Sequence, residues 1–193
     1  MLTALYLFFL IFLILVALAT LFIMLLRVSS LSFSGAPYIQ IPDEVLPHIV
    51  KALDMEKGSV VYDLGCGDGK VLFACYNEMP DAKYIGIDIA LFPIFVARRK
   101  LHYLAEEGGT SDLPIKLLKE DFFNTNLSNA THLFIYLYPK LVNSLLPKLE
   151  KELKSGTRVV TCDYRFDNKE PTKIIDMGRG PGNLGKFLYV YTF

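Results

Sequence analysis

Residues 60 to 70 read VVYDLGCGDGK, an apolar run that stops at an acid and passes into three glycines within five positions. This is the pattern of a buried strand that delivers bare backbone to its own end. Further strand-like apolar runs stand at 83–89, 115–119, 131–138 and 157–164, with helical patterns at about 70–79, 91–107 and 139–154 between them. Only the interval between the third and fourth runs is too short for a long helix. The alternation predicts right-handed βαβ units and a parallel sheet covered on both faces. At the end, TKIIDMG and KFLYVYTF are joined by RGPGNL with no helix between, which predicts an antiparallel hairpin closing the sheet. Before the first strand, PDEVLPHIVKALDM places Val45, Leu46, Ile49, Val50 and Leu53 at helical spacing behind an acidic first turn. Pro47 must then fall within that turn.

A glycine turn between a first parallel strand and its helix brings backbone N–H groups and a helix N-terminus close to a ligand. A phosphate-binding loop of the form G-x-x-x-x-G-K-[ST] fails on spacing, since Gly65 to Gly69 is too short and Lys70 is followed by Val71. A dinucleotide pyrophosphate is disfavoured by sign, because Asp63 and Asp68 would face it with like charge. S-adenosylmethionine carries a sulfonium and an ammonium and no phosphate, so the same carboxylates help. Asp63 at the strand end suits the methionine moiety, with Gly65, Cys66, Gly67, Asp68 and Gly69 forming the turn around it. Asp88 ends the second strand, where it can accept both ribose hydroxyls, with Ile89 next to it. Asp121 is placed at the end of the third strand, to accept from the adenine amino group while Phe122 packs on the ring.

The stretch from Leu2 to Leu26 has no charge and only two threonines, Thr3 and Thr20. As a helix it spans about 37 Å, enough to cross a hydrocarbon core of about 30 Å with some tilt. A secretory signal has a shorter apolar region, a basic start and a small-x-small cleavage site, so an uncleaved anchor is expected. Residues 1–27 are read as the anchor, 28–40 as a Ser-rich linker holding Gly35 and Pro37, and 41–193 as the catalytic domain. Arg27 directly after the span favours a single-pass arrangement with that domain cytoplasmic. The whole chain carries 20 basic and 20 acidic residues, which gives no electrostatic reason to expect a nucleic-acid partner. Cys66, Cys75 and Cys162 form neither a disulfide framework nor a zinc pattern, and His48, His102 and His132 have no ligand spacing, so no metal is expected.

These residues resemble the class I S-adenosylmethionine-dependent methyltransferases. More narrowly, the chain is similar to the small membrane-associated protein lysine methyltransferases that modify the adenine nucleotide translocase and the ATP synthase c-subunit, and to their archaeal broad-specificity relatives. The likeness runs from about Pro37 to the C-terminus through PYIQIPDEVLPHIVKAL, VVYDLGCGDGK, GIDI, EDFF and ATHLFIYLYPKLVNSLLPKLEKELKSGTRVVTCDYRF. It implies a Rossmann-like α/β fold with a seven-stranded, mostly parallel sheet in the order 3-2-1-4-5-7-6, S-adenosylmethionine as cofactor, and a protein substrate with an accessible lysine near a membrane. Two departures stand on the expected substrate side. Gln40-Ile41-Pro42 lacks a threonine usual in that segment, and the chain has no tryptophan, where one is usual after the fifth strand.

Methyl transfer to an amine needs positioning more than bond-making help from the protein. The fourth strand runs into IYLYP at the carboxyl edge, so Tyr136 and Tyr138 are the candidate catalytic residues, using ring face and hydroxyl to hold the amine. Asp163 and Tyr164, after the fifth strand, are further candidates for the same rim. A lipid or quinone-like acceptor, and a cofactor-binding scaffold without turnover, are the competing readings. RRK at 98–100 reads as a solvated helix face, and GRGPG at 178–182 as a hairpin loop that needs no ligand.

Overall fold

The structure, a computed structural model, describes residues 2–34, 39–110 and 112–193, with only the backbone described for Leu2 and 26–34. Gly35 and Pro37 of the expected linker, the first residues of the PYIQIPDEV stretch and the side chain of Arg27 therefore lie outside the described residues. The chain divides into two compact units, Met1–Pro37 and Tyr38–Phe193. The first contains one helix, α1 (Leu2–Ser34). It extends into the stretch read as linker, which is physically reasonable because no glycine or proline interrupts the chain before Gly35. Side chains from Thr3 to Leu25 are exposed all round the helix.

The second unit begins with a 3-10 turn, Asp43–Val45, that leads into α2 (Leu46–Leu53). Pro47 sits in the first turn of α2 as expected, where its missing N–H costs nothing. There follow β1 (Val60–Leu64), α3 (Lys70–Glu78), β2 (Lys83–Asp88), α4 (Leu91–Glu107), β3 (Ile115–Lys119), β4 (His132–Ile135), α5 (Pro139–Glu152), β5 (Arg158–Cys162), β6 (Lys173–Asp176) and β7 (Phe187–Thr192). All seven strands form one sheet in the order β3-β2-β1-β4-β5-β7-β6. Strands β1 to β5 pair in parallel, and β7 runs antiparallel to both β5 and β6. This is the Rossmann-like methyltransferase topology implied by the resemblance.

The two faces are built differently. Ile49, Leu72 and Ile94 from α2, α3 and α4 pack with Val61, Phe134, Val160 and Leu188 on one face. On the other, Val142, Leu145 and Leu149 of α5 cover Leu64, Ile135, Val159 and Tyr191, helped by Leu127 and Ala130 from the connection between β3 and β4. The sequence expectation of a sheet covered on both faces thus reduces to a single helix on the second face. β4 is shorter than its apolar run and stops at Ile135, so Tyr136 and Tyr138 follow it. β3 covers its run, Ile115–Lys119, so Asp121 lies two residues beyond the strand end at which it was expected. The sheet stays anchored at its opposite edge, where Arg158 Nε donates to Ala52 O at 2.8 Å and ties α2 to β5.

Gly86 in β2 marks the tightest helix–strand approach. A Cβ there would meet Leu72 Cδ1 at 2.5 Å, Cys66 Sγ at 2.8 Å and Leu117 Cδ2 at 3.0 Å. Gly86→Ala is expected to destabilise the protein by about 1–3 kcal/mol through overpacking. The check is denaturant unfolding of the full chain in detergent, read as a lower midpoint at unchanged slope. An unchanged midpoint would mean that these neighbours move aside without cost.

Candidate functional site

The strand order reverses at β1, which has β2 on one side and β4 on the other. Connections leave in opposite directions there, and the crevice at the carboxyl ends is where open α/β sheets bind ligands. The turn between β1 and α3 lines it. Gly65, Gly67 and Gly69 have φ of +81°, +55° and +78°, a region that costs residues with a Cβ. A Cβ on Gly65 would also stand 2.7 Å from Leu137 Cδ2, so that side chain would have to shift. The turn is bound to β2, with Gly65 N–H and Cys66 N–H donating to Ile87 O at 2.8 and 3.0 Å.

Asp63, Asp68 and Asp88 converge on this turn, each with a different environment. Asp88 accepts from Gly67 N–H at 2.8 Å through Oδ2 and from Ala90 N–H at 2.7 Å through Oδ1. Each oxygen keeps a second lone-pair direction for a ligand hydroxyl. Asp68 pairs with Lys100 Nζ at 2.5 Å. Arg98, Arg99 and Lys100 are all exposed, as expected of a solvated face, and each also makes a contact. Lys100 reaches the glycine turn, Arg98 donates to Leu117 O, and Arg99 donates to the Tyr103 hydroxyl. Asp63 is 3% exposed, and its carboxylate makes no hydrogen bond or ion pair among the described residues. Burial, and then the charges of Asp88 and Asp68, hold its pKa well above the usual carboxylate range.

Cys66 is buried within the turn, its thiol pushed far up by burial, so it is an apolar spacer rather than a nucleophile. Ile89 is exposed beside Asp88. Asp121 accepts from Phe123 N–H at 2.9 Å, and Phe122 is half-buried with its ring 5.0 Å from that of Phe123. On the other side of β1, Tyr136 and Tyr138 follow β4, both half-buried. Tyr138 caps α5 with its backbone, its carbonyl accepting from Val142 N–H at 3.0 Å.

Three features of this edge were not singled out from sequence, and a fourth was read only in part. Lys70 at the start of α3 donates to Ile41 O at 3.0 Å and pairs with Asp43 at 2.6 Å, fastening the segment before α2 to the glycine turn. Arg179 reaches Glu44 at 3.6 Å from the loop between β6 and β7. Gly185 in the same loop packs so closely on Val45 that a Cβ would fall 2.5 Å from Val45 Cγ2. Asp163, read only as a rim candidate, binds three backbone N–H groups of Gly185, Lys186 and Phe187. An acid at the end of yet another strand was the available signal for it.

The crevice therefore suits a ligand with a cation at one end and hydroxyls at the other. The glycines leave room, Asp88 offers acceptors, and the buried Asp63 carboxyl makes no hydrogen bond or ion pair among the described residues. Without a cation the raised pKa favours the neutral acid; a cation set against it favours the charged form. S-adenosylmethionine binding is thus expected to release a proton, and to tighten as pH rises through the raised Asp63 value. Calorimetric titration in two buffers of different ionisation enthalpy measures the release. Asp63→Asn is expected to abolish it and to weaken binding about 10- to 100-fold. Affinity that is flat with pH in the wild type would contradict this role.

Comparison with known proteins agrees with the geometry. A family profile described as the ANTKMT methyltransferase domain matches residues 63–173. The Protein-lysine N-methyltransferase of Saccharolobus islandicus is 32% identical over 154 residues, covering 80% of this chain and 92% of that protein. The lysine N-methyltransferase of Homo sapiens that acts on the ATP synthase c-subunit is 24% identical over 142 residues, 74% of this chain, which spans 58% of the length of that relative. Among solved structures, an RNA methyltransferase from Salinibacter ruber in complex with S-adenosyl-L-homocysteine matches with a TM-score of 0.69 at 28% identity, covering 80% of this chain and 93% of that one. The chain belongs to the ANTKMT methyltransferase domain family and is an S-adenosylmethionine-dependent methyltransferase.

Proposed function

We propose that the chain is a protein-lysine N-methyltransferase acting on proteins at or near a membrane, with α1 as its anchor. The observation that carries the reading is the 32% identity to a protein-lysine N-methyltransferase across 92% of that relative. In this reading Asp63 faces the cationic end of the cofactor, Gly65, Cys66, Gly67, Asp68 and Gly69 form the wall around it, and Asp88 with Ile89 takes the ribose. Asp121 and Phe122 take the adenine. When bound, S-adenosylmethionine supplies a methyl carbon already activated by its sulfonium.

The chain's own residues then have two tasks, to present a neutral amine and to aim its lone pair. A lysine has a pKa of about 10.4 in water, and desolvation lowers it. The half-buried Leu137 and Tyr138, beside Tyr136, supply apolar walls for that purpose. Tyr136 follows β4, one strand over from the end of β1, where Ile135 stands opposite Leu64 and the glycine turn begins. Its hydroxyl stays protonated at neutral pH, because burial and then the Asp163 charge push its pKa up. A tyrosine hydroxyl of this kind can hold an amine N–H without competing as a base.

Membrane attachment rests on composition and exposure. The span Thr3–Leu25 has a mean hydropathy of 3.1, no part of it is buried, and a helix apolar on every side has no polar face to turn to water. An anchor raises encounters with membrane-borne targets without any added contact. Residues 1–27 would form that anchor, and 41–193 the catalytic domain on the cytoplasmic side.

The test combines the full chain in detergent, methyl-labelled cofactor and a membrane extract, followed by acid hydrolysis and amino-acid analysis. Label is expected in methyl-lysine, and Asp88→Ala is expected to reduce it at least about 10-fold. Label in the lipid or RNA fraction instead would move the acceptor to that class. Binding of cofactor with no label anywhere would leave a scaffold. The anchor is checked separately, by whether the intact chain stays in the pellet after an alkaline carbonate wash.

A further inference from the structure

We infer that Asp163 is a positioning residue for the acceptor amine, acting through the hydroxyl of Tyr136. The inference rests on the reading of Tyr136 given above. Asp163 follows the last residue of β5 at a φ of +61°, a left-handed conformation that costs a residue with a Cβ and that aspartate tolerates better than most. The main-chain N–H of Asp163 donates to Phe187 O at 2.8 Å. Its Oδ1 accepts from Lys186 N–H at 2.6 Å and from Phe187 N–H at 3.3 Å, and its Oδ2 accepts from Gly185 N–H at 2.7 Å. Those bonds alone would hold the corner between β5 and β7. The same Oδ2 also faces the Tyr136 hydroxyl at 3.4 Å, across the carboxyl ends of β4 and β5.

The chemical consequence follows from counting donors. A phenol has one O–H to give and two lone pairs to offer. A carboxylate is acceptor-only, so next to Asp163 the phenol proton points inward and the oxygen presents only lone pairs outward. An amine reaching that oxygen must therefore donate an N–H to it, which leaves the nitrogen lone pair unblocked. Were the phenol proton to point outward, it would bind that lone pair and oppose attack on a methyl carbon. The 3.4 Å separation is longer than the usual O–H···O contact of about 2.5–3.0 Å. Catalytic hydrogen bonds of this kind are often long before substrate arrives and shorten in the complex.

A purely structural Asp163 makes a different prediction, and a double-mutant cycle separates the two. Initial rates of methyl-lysine formation in the membrane extract are measured for the full-length wild type, Tyr136→Phe, Asp163→Asn and the double variant, with cofactor affinity measured for each. Each single change is expected to lower the rate about 10-fold or more while cofactor affinity stays within about twofold. In the Tyr136→Phe background, Asp163→Asn should add little, because the hydroxyl it aims is already gone.

If Asp163→Asn lowers the rate by the same factor in both backgrounds, the inference is overturned and Asp163 serves the fold alone. If Tyr136→Phe leaves the rate unchanged, the reading of Tyr136 itself fails, which is a separate result. Should Asp163→Asn fail to bind cofactor, Asp163→Gly replaces it in the cycle, since glycine accepts the positive φ without cost. Loss of cofactor binding in both variants would also assign the residue to the fold and overturn the inference.

Discussion

Three carboxylates crowd the turn between β1 and α3, and their mutual repulsion in a half-dry crevice is the constraint around which the site is organised. Each is handled differently. Asp88 takes two backbone N–H groups, one of them from Gly67, so neutralising it also shapes the turn. Asp68 takes Lys100 from α4, which couples the turn to the helix after β2. Asp63, at 3% exposure, makes no hydrogen bond or ion pair among the described residues, and burial is first among the causes that raise its pKa. A charged carboxylate in that setting is costly to the ligand-free protein. In the proposed reading a cationic ligand would remove that cost, so selectivity for a positively charged cofactor and stabilisation by it would have one origin.

The side proposed for the acceptor follows the opposite rule. There the carboxylate of Asp163 accepts three main-chain N–H groups before any ligand arrives. A cofactor is exchanged at every turnover, so a carboxylate waiting for it is useful. An acceptor amine instead needs a fixed direction, and fixed direction comes from groups that do not rearrange when it binds. The backbone strain at Asp163 is consistent with this, because a left-handed residue persists only where its surroundings determine it.

Much of this was legible in the residues, and the rest was hidden for definable reasons. Strand alternation was enough to bring Asp63 and Asp88 to one edge, because parallel strands share a direction and their last residues share a side. The final hairpin was equally plain from RGPGNL between two apolar runs. The end of β4 was overrun, since apolar residues continue past the last ladder bond wherever they pack on something else, as Tyr136 and Leu137 do, and Asp121 was placed at the end of β3 although the strand stops two residues earlier. The pairing of Asp68 with Lys100 was not readable, because the face that α4 turns toward the glycine turn is set by packing. Nor were the donors to Asp163, since they depend on the β5–β7 register that sets Cys162 opposite Leu188.

The segment before α2 holds Gln40-Ile41-Pro42, without the threonine that the resemblance leads one to expect there, and it is held from two directions. Lys70, the first residue of α3, grips Ile41 O and Asp43, while Arg179 and Gly185 of the β6–β7 loop meet Glu44 and Val45. One hold comes from the helix that follows the cofactor turn. The other comes from the loop whose backbone also binds Asp163. A departure in sequence at 40–42 therefore need not disturb the distance between cofactor and acceptor, because the bonds that fix the segment use its carbonyl at Ile41 and its acids at Asp43 and Glu44. Ile41 is itself buried in the core, so within this segment it is the exposed Gln40 that can change with the substrate, on the proposed reading, while the frame around it stays in place.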